Sequence, residues 1–409
     1  MKRLLVGLLL VALLGCSGPL SPFTWLARAR YQTSLFTGAP QHENFVRQAD
    51  FYPTVSMQAA PTPRPFPRGP ALALPEEFAW EGASLDVEAF LRDTDTAALL
   101  VLQDGAIVHE DYWLTGGADV PWLVHSVSKS VVSAAVWLAR RDGAIRSVDE
   151  PISDYVPRLA GSGYEGVAIE DVLQMSSGIR WDEDYADADS DITRFGHTIF
   201  TGGSFDDFVA GCVAETEPGT RNRYTGMDTM ALGMLVPAAT GVPLAAYVER
   251  ELWQALGAED EAFWTTDGDG VPLALGGLNA TARDLAKVGE LYRRGGDWHG
   301  TQVLPAHWVE ASTTATAPHL VPGPNPRSAH DMGYGYQWWL LEGDLGDYSA
   351  IGIYNQFVYV SPATRTVIVK LSANRRYAVD GVYQESETIA LLRTIARHAR
   401  AATALRPPS

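Results

Sequence analysis

The chain has 409 residues, of which 46% are hydrophobic, so it can bury a large core. This length fits either one large enzyme domain with an insertion or two average domains. Acidic residues outnumber basic residues by 49 to 31, which gives a formal net charge of −18. Nucleic acids and anionic lipids bind basic surfaces, so neither is expected to be the main partner of so acidic a chain.

The N-terminus has the pattern of a secretory signal peptide. Two basic residues precede an apolar run over residues 4–14, which is shorter than the roughly 20 residues of a membrane-spanning helix. Leu13-Leu14-Gly15-Cys16 resembles a bacterial lipobox, which predicts a signal peptide over residues 1–15 and a lipid on Cys16. The alternative is an ordinary signal peptide with an incidental cysteine. A lipoprotein of this kind lies in the bacterial cell envelope, contacts the membrane only through its lipid, and faces the periplasm or the exterior.

Residues 16–74 are predicted to form a tether and a surface arm. Five prolines between residues 61 and 70 favour an extended backbone with few hydrogen-bond donors. Aromatic residues earlier in the segment, including Phe45 and Tyr52, indicate that part of the arm packs on the body. The folded body is predicted to occupy residues 75–409.

Strand patterns occur near both ends of this body, and helical patterns lie between them. Runs over residues 97–103 and 106–113 are joined at Asp104-Gly105, a dipeptide typical of hairpin turns. Residues from about 151 to 257 are rich in helical patterns and loops. Later strands are predicted at residues 335–341, 348–352, 356–360 and 366–371, followed by a helix over about 386–402. Short turns favour an antiparallel sheet built from both chain ends, flanked by helices and interrupted by a mostly helical subdomain, which is an α/β (α+β) fold.

Ser126-Val127-Ser128-Lys129 opens an apolar helical pattern that ends at Gly143. Residues at positions i and i+3 share a helix face, and a helix N-terminus supplies N–H groups and a positive field. The chain has only four lysines, and a buried lysine, unlike an arginine, can lose its proton. A serine hydroxyl is a weak nucleophile that needs such a base. The pattern therefore points to Ser126 as nucleophile and Lys129 as base, although S-x-x-K also arises by chance and needs further support.

Four later segments follow in the order expected for one family. They are residues 167–178, Pro218-Gly219-Thr220 with Tyr224-Thr225-Gly226, residues 276–287 and Gly352-Ile353-Tyr354-Asn355-Gln356. Together with the S-x-x-K tetrad, they resemble the serine β-lactamase and penicillin-binding-protein superfamily over roughly residues 85–392. The resemblance is closer to the class C-like esterases and the nylon-oligomer (aminohexanoate-dimer) hydrolases.

This resemblance implies a β-lactamase/transpeptidase-like fold and an acyl-enzyme on Ser126, with Lys129 as general base. It implies that Tyr224 relays a proton between Ser126, Lys129 and the leaving group. The backbone N–H groups of Ser126 and Ile353 would form the oxyanion hole. Ile353 lies on a strand that would also bring Gly352 to the substrate. Neither a metal nor an organic cofactor is expected.

Two positions depart from the family pattern. Gly226 stands where the family's Tyr-x-Asn motif has its asparagine, so that amide is missing. Ala350-Ile351-Gly352 stands where true β-lactamases carry a lysine before Thr-Gly, which binds the substrate carboxylate. Its absence points to esters or amides outside β-lactam resistance. Arg375 or Arg376 are candidate replacements as anion binders, with solvated loop charges as the alternative.

The acidic loop near residue 187 carries two further patterns. Tyr185 matches the tyrosine that nylon hydrolases close over substrate, and a surface aromatic is the alternative. Asp187-x-Asp189-x-Asp191 has the spacing that begins a calcium loop, but Ile192 and Thr198 occupy the positions of the required glycine and terminal acid. Calcium is therefore not expected.

The sequence thus predicts a lipid-anchored serine hydrolase that cleaves ester or amide bonds in a small molecule. One alternative is a D-Ala-D-Ala carboxypeptidase or a true β-lactamase, against which the missing lysine counts. A second is a non-catalytic binding protein on the same fold, against which the intact Ser126, Lys129 and Tyr224 count. The histidines show no zinc spacing, and His125 is expected to be a packed side chain. The oligomeric state and the physiological substrate stay open.

Overall fold

The computed structural model describes residues 22–37, 41–183, 187, 189–377 and 382–404. Cys16 and Tyr185, for which the sequence predicts a lipid and a substrate contact, lie outside the described residues. The strands are β1 (Thr54–Met57), β2 (Glu77–Trp80), β3 (Ala83–Asp86), β4 (Thr96–Gln103), β5 (Ala106–Tyr112), β6 (Trp122–Leu123), β7 (Ala262–Thr265), β8 (Leu278–Ala280), β9 (Asp297–Trp298), β10 (Thr301–Gln302), β11 (Gly333–Tyr334), β12 (Trp339–Leu340), β13 (Tyr348–Gly352), β14 (Gln356–Ser361) and β15 (Thr366–Ser372).

The α-helices are distributed along the whole described chain. They are α1 (Pro22–Thr37), α2 (Gln41–Phe45), α3 (Val87–Asp93), α4 (Ser128–Arg141), α5 (Ile169–Leu173), α6 (Asp191–Thr201), α7 (Phe205–Ala210), α8 (Gly226–Thr240), α9 (Leu244–Val248), α10 (Ala282–Arg293), α11 (Ala306–Thr313) and α12 (Glu385–Ala404). Four of them begin at a side-chain cap, in which Asp86, Ser190, Ser204 or Thr281 accepts a hydrogen bond from the backbone N–H three residues later. Each such cap stabilises its helix by about 1 kcal/mol.

The main sheet has seven strands in the order β11-β12-β13-β14-β15-β4-β5, and every neighbouring pair is antiparallel. Strands β4 and β5 come from the beginning of the body and the other five from its end, which confirms the predicted sheet built from both chain ends. Asp104 and Gly105 form the β4–β5 turn with φ of 55° and 78°, as the hairpin signal predicts.

Helices cover both faces of this sheet. Helix α10 packs on β4, β14 and β15, and α12 packs on β2 and β15. Gly289 of α10 sits so close to the sheet that a Cβ atom there would lie 2.7 Å from a methyl group of Val367. Because the sheet is covered on both sides, all eight residues of β4 are buried. The sequence of β4 is accordingly a nearly continuous apolar run.

The segment between the two parts of the sheet is mostly helical, as predicted. It contains α5 to α9, and α8 packs against α4, the largely buried helix that follows Ser126. No single helix among the described residues is long and apolar enough to cross a membrane, although the bent pair Gly226–Thr240 and Leu244–Trp253 passes that test by length and composition together.

A smaller antiparallel sheet has the order β1-β7-β8-β6, and it changes the interpretation of the N-terminal arm. Strand β1 pairs with β7 over its whole length, and Phe45 is fully buried. The folded body therefore begins well before the predicted boundary at residue 75. The sequence signal was weak because β1 is only four residues long and pairs with a strand about 200 positions away.

The proline-rich part of the arm is also attached to the body. The backbone N–H of Ile107 donates to Pro67, and the N–H groups of Gly69 and Leu72 donate to the carbonyls of Ile107 and Val108. This segment thus covers the edge strand β5 and protects its unpaired backbone groups. The proline-rich segment is therefore part of the folded body, as β1 and Phe45 before it are.

Candidate active site

Ser126 lies at the junction between a strand and a helix. Strand β6 leads into a single 3₁₀ turn, His125–Val127, and α4 follows at once. The Ser128 hydroxyl donates to the His125 carbonyl at 2.6 Å and accepts from the Leu278 N–H at 3.2 Å. These bonds fix the turn on β8, so the Ser126 side chain is held at the start of α4.

His125, which precedes Ser126, has a left-handed backbone with φ of +48°. This conformation is unfavourable for a residue with a side chain and persists where packing enforces it. The imidazole contacts the rings of Phe45 and Tyr354, with centroids 5.2 and 5.4 Å away. Burial, and to a smaller extent the charge of Lys129, lowers the pKa of His125 to about 3, so the ring is neutral. His125 is a packed side chain, as expected, and it connects the N-terminal arm to the nucleophile turn.

Lys129 is buried one helical turn after Ser126. Its Nζ donates to Ser126 Oγ at 2.8 Å and to the backbone carbonyl of Leu275 at 2.5 Å. Burial lowers the pKa of Lys129 to about 7, and the carboxylate of Glu183 acts in the opposite direction. An amine with this pKa is largely neutral slightly above pH 7, and a neutral amine can accept the proton of the neighbouring hydroxyl.

Tyr224 completes a cluster with Ser126 and Lys129. Its hydroxyl lies beside the side chain of Ser126, and Lys129 Nζ lies 5.1 Å from the centre of its ring. Burial raises the pKa of Tyr224, and the nearby Ser126 side chain only partly offsets this effect. The phenol therefore keeps its proton at neutral pH. The ring stacks on Trp339 at 4.9 Å between centroids, which fixes its orientation.

The end of β13 lies directly against the nucleophile turn. A Cβ atom on Gly352 would be 2.5 Å from the Val124 carbonyl oxygen and 3.1 Å from the Ser126 nitrogen. Only glycine allows so close an approach, because any other residue would push the two backbones apart. Ile353 follows Gly352 and is half-buried. The structure thus brings the backbones of Ser126 and Gly352 together, with Ile353 directly after Gly352.

Gly226 fits tightly against Leu275, the residue whose carbonyl binds Lys129. A Cβ atom on Gly226 would lie 3.0 Å from Leu275 Cδ2 and 3.4 Å from Leu275 Cβ. The asparagine that the family motif has at this position would need the space that Leu275 fills. Gly226 therefore leaves room for the Leu275 side chain.

Several residues at the site have no motif that sequence reasoning could have used. The carbonyl of Leu275 is a backbone group, Glu183 lies in an acidic loop without a pattern, and Trp339 is one of 12 tryptophans in the chain. A strand pattern over residues 335–341 was the only available signal for Trp339. Distance in the chain hides these contacts, because Leu275 follows Lys129 by 146 positions.

The candidate anion binders lie on the surface. Arg375 is bound to Asp95, with its Nε 2.9 Å and a terminal nitrogen 2.8 Å from the two carboxylate oxygens. Arg376 is exposed, and its backbone N–H donates to the side chain of Asn374. Arg375 would have to leave Asp95 before it could bind a substrate carboxylate. In the described part of the chain, no group of three or more His, Cys, Asp or Glu residues is placed to hold a metal ion.

Comparison with known proteins supports the resemblance found in the motifs. Residues 86–391 match the family model described as Beta-lactamase. A 6-aminohexanoate-dimer hydrolase of Paenarthrobacter ureafaciens is 33% identical over 295 residues, which cover 70% of this chain and 75% of that protein. A solved structure from Bacillus anthracis, provisionally described as a 6-aminohexanoate-dimer hydrolase, has a TM-score of 0.80 at 21% identity and covers 91% of this chain and 97% of its own. A family VIII carboxylesterase has a TM-score of 0.60 at 14% identity, with 76% and 95% covered.

These similarities define the class of protein. The antiparallel sheet between helical layers, with the inserted helical segment, is the fold of β-lactamases and transpeptidases. Because the family model matches more than half of the chain, the protein belongs to the Beta-lactamase family. The relative at 33% identity is named a hydrolase, and the chain is accordingly a β-lactamase-related serine hydrolase.

Proposed function

We propose that the protein cleaves an ester or amide bond through an acyl-enzyme on Ser126. The observation that carries this proposal is the 2.8 Å contact between Lys129 Nζ and Ser126 Oγ, together with the lowered pKa of Lys129. Neutral Lys129 takes the hydroxyl proton as Ser126 Oγ attacks the carbonyl carbon. The carbonyl π bond breaks, and its electron pair moves to the oxygen, which becomes the oxyanion.

The backbone N–H groups of Ser126 and Ile353 stabilise that oxyanion. Each donor of this kind contributes roughly 3–4 kcal/mol to the transition state. As the tetrahedral intermediate collapses, the bond to the leaving group breaks and the leaving group takes a proton through Tyr224. The phenol passes its own proton on and recovers one from Lys129. A water molecule then attacks the acyl-enzyme with the same groups in the reverse roles, which releases the acid and restores Ser126.

The residues that line the site indicate which class of substrate it accepts. Ala350-Ile351-Gly352 of β13 presents no lysine to a substrate carboxylate, and Arg375 is engaged with Asp95. The ring stack of Tyr224 and Trp339 gives an apolar surface beside the nucleophile. These features favour small esters or amides over β-lactams. The name of the 33%-identical relative, a 6-aminohexanoate-dimer hydrolase, supports the same choice.

A substrate panel tests this choice against the main alternative. We expect kcat/KM for p-nitrophenyl butyrate, which has no carboxylate, to exceed that for nitrocefin by about tenfold to hundredfold, because the carboxylate of nitrocefin would be buried without a partner at a cost of about 1–3 kcal/mol. Nitrocefin as the better substrate would favour a β-lactamase. Release of D-alanine from a D-Ala-D-Ala peptide would favour a carboxypeptidase. Failure of every substrate and of an activated-serine probe would favour the non-catalytic binding protein.

We also propose that the mature protein is a lipoprotein of the bacterial cell envelope. Cys16 directly follows the apolar run, and only five residues separate it from α1, which begins at Pro22. Phe23 and Leu26 on α1 are exposed, which suits a helix near a lipid surface. The anchor would then hold the hydrolase close to the membrane, with residues 17–21 as the available tether.

A further inference from the structure

Gln356 is a fully buried glutamine at the start of β14, next to the proposed oxyanion hole. Its amide nitrogen donates to the carbonyls of Ile353, Tyr354 and Ser372 at 3.1, 3.2 and 2.5 Å. Its amide oxygen accepts from the indole N–H of Trp122 and the backbone N–H of Ser372, both at 3.0 Å. One side chain therefore joins β6, the β13–β14 turn and β15.

Only an amide satisfies this arrangement. The nitrogen faces three carbonyl oxygens, and the oxygen faces two N–H groups. Rotating the amide by half a turn would therefore place its oxygen against the carbonyls and its NH₂ group against the N–H groups. A carboxylate would place an oxygen against the three carbonyls. A thioether of the same length would leave five backbone and side-chain groups without their partner in a buried site.

The groups that Gln356 binds belong to the two halves of the proposed oxyanion hole. The carbonyl of Ile353 is in the residue whose N–H is the proposed second donor. Trp122 lies in β6, four positions before Ser126, whose N–H is the first donor. The Ile353 carbonyl lies in the peptide unit that follows this N–H, so a change in the backbone torsions of Ile353, or a shift of β6, would change the distance between the two N–H groups.

The turn that carries Ile353 needs such support. Tyr354 and Asn355 both have left-handed backbones, with φ of +63° and +67°. A left-handed backbone conformation at a residue other than glycine costs of order 1–3 kcal/mol, and surrounding contacts must offset this cost. The Asn355 side chain is held on the other side of the turn, where its amide nitrogen donates to the Tyr383 carbonyl at 3.0 Å and its amide oxygen accepts from Asn374 at 2.6 Å. Gln356 supplies the bonds on the side that faces β6.

We infer that Gln356 is a positioning residue that sets the spacing of the Ser126 and Ile353 N–H groups and thereby the strength of the oxyanion hole. The inference rests on the proposed acyl-enzyme function. Gln356 does not touch the reacting atoms, so its removal should weaken binding of the transition state while leaving binding of the substrate almost unchanged. It should also leave the proton acceptor unchanged, because Lys129 is bound by Ser126 and Leu275 and not by Gln356.

Gln103, the last residue of β4, provides a matched control beside the β14–β15 turn. It is also a buried glutamine, and its amide nitrogen donates to the Thr364 carbonyl at 3.0 Å while its oxygen accepts from the Thr366 hydroxyl at 3.1 Å. Gln103 thus supports the β14–β15 turn as Gln356 supports the β13–β14 turn. A Gln103→Met variant loses similar buried hydrogen bonds without touching the site.

The experiment compares the full-length wild type, Gln356→Met and Gln103→Met, with the folded fraction of each measured by circular dichroism. For p-nitrophenyl butyrate we expect kcat of Gln356→Met to fall about 10- to 100-fold, less than complete loss of a donor causes, with KM changed by less than about threefold. The affinity for an alkylboronic acid, whose adduct with Ser126 carries a negatively charged oxygen, should fall in parallel. The pH midpoint of the rate should not move, and Gln103→Met should keep kcat within about twofold of the wild type.

Equal kcat values for the two folded variants would overturn the inference. If Gln356→Met does not fold, Trp122→Phe tests the inference instead. This variant keeps an aromatic ring beside Phe45 and removes only the indole N–H that donates to Gln356. A several-fold loss of kcat at constant KM in Trp122→Phe supports the inference, and an unchanged kcat rejects it. A wild type that a fluorophosphonate probe does not label at Ser126 would instead reject the proposed function, so the two failures are distinguishable.

Discussion

Lys129 Nζ lies 2.8 Å from Ser126 Oγ, and Lys129 is almost completely buried. The same contact in water would leave the lysine charged, and a charged lysine cannot accept a proton. Burial lowers the pKa of Lys129 to about 7, so the contact joins a hydroxyl to an amine that is partly neutral at physiological pH. Proximity and desolvation are thus both needed for Lys129 to serve as the base, and each can be tested separately.

Replacement of Lys129 by arginine separates charge from proton acceptance. A guanidinium keeps its proton at any accessible pH, so Lys129→Arg retains the positive charge without a base. We expect acylation to fall by at least about 10³-fold, nearly as far as in Lys129→Ala, because the loss of a catalytic base has an effect of this size. Single-turnover release of p-nitrophenol measures this rate. Near-normal turnover of Lys129→Arg would show that Lys129 acts only through its charge.

The hydrolysis rate should rise with pH through one ionisation near pH 7. Lys129 is active in its neutral form, and the neutral fraction increases as the pH rises through its pKa of about 7. The carboxylate of Glu183 raises the pKa of Lys129, so Glu183→Gln should move the midpoint of kcat/KM to lower pH. Glu310→Gln, which removes the same charge from an exposed position on α11, is the control and should leave the midpoint in place. A rate that falls with rising pH would exclude Lys129 as the base.

Lys370 of β15 should make the stability of the protein depend on pH. Its side chain is fully buried, Nζ donates to the Ser372 hydroxyl, and burial lowers the pKa of Lys370 from 10.5 to about 7, with a smaller opposite effect of Asp95. Between these pH values the unfolded chain holds a proton that the folded protein lacks. The contribution of Lys370 to the free energy of unfolding therefore falls as the pH falls from about 10 to about 7, by up to ~1.4 kcal/mol per pH unit, and is constant below that range.

The variant Lys370→Met removes this dependence. We expect it to be more stable than the wild type at pH 7, with a smaller difference at pH 10, in urea unfolding. Lys287→Met is the matched control, because Lys287 is equally buried but lies 2.9 Å from Asp284 and 2.6 Å from Glu259. Loss of Lys287 leaves the buried carboxylate of Asp284 without its cation and leaves Glu259 with only Arg283, at 3.7 Å, and should destabilise the protein by about 3–5 kcal/mol. Lower stability of Lys370→Met at pH 7 would contradict the account of Lys370.

If Cys16 carries a lipid anchor, its replacement should move the protein from the membrane fraction to the soluble fraction without changing catalysis. In a Gram-negative host, Cys16→Ser should release the protein from the membrane fraction, since no other membrane attachment is proposed. Hydrolysis per molecule should stay the same, because Cys16 precedes the folded body and is separated from Ser126 by more than 100 residues. Immunoblots of the membrane and soluble fractions, with activity in each, measure both effects. Unchanged membrane association of the variant would reject lipidation.

The parts of the fold that the sequence predicts are those with a local signal. Strands β13, β14 and β15 are continuous apolar runs between turn residues, and the structure places them within one residue of the predicted bounds. Ser126 and Lys129 are recognisable because their spacing of three positions is enough to bring them together. The resemblance to a known family then supplied Tyr224 and Ile353, whose positions in the chain carry no local signal.

The parts that the sequence did not predict depend on contacts between distant segments. Strand β1 has only a short apolar alternation, and its partner β7 is not identifiable from it. The carbonyl of Leu275 binds Lys129 as a backbone group, which any residue could supply. His125 has a positive φ, and its ring packs between Phe45 and Tyr354, which none of the three residues indicates alone. Such features become visible only when the chain is folded.

The most direct test of the account is to trap the acyl-enzyme and locate it. Brief incubation of the full-length protein with p-nitrophenyl butyrate, followed by acid quenching, intact-mass measurement and peptide mapping, should reveal one butyryl group on Ser126. Ser128 and Ser130 are internal controls on the same helix, and their hydroxyls are occupied by the carbonyls of His125 and Gln337. The account predicts that the adduct is absent in Ser126→Ala, which should unfold at the same temperature as the wild type. An adduct on Ser128 or Ser130, or turnover that persists in Ser126→Ala, would contradict it.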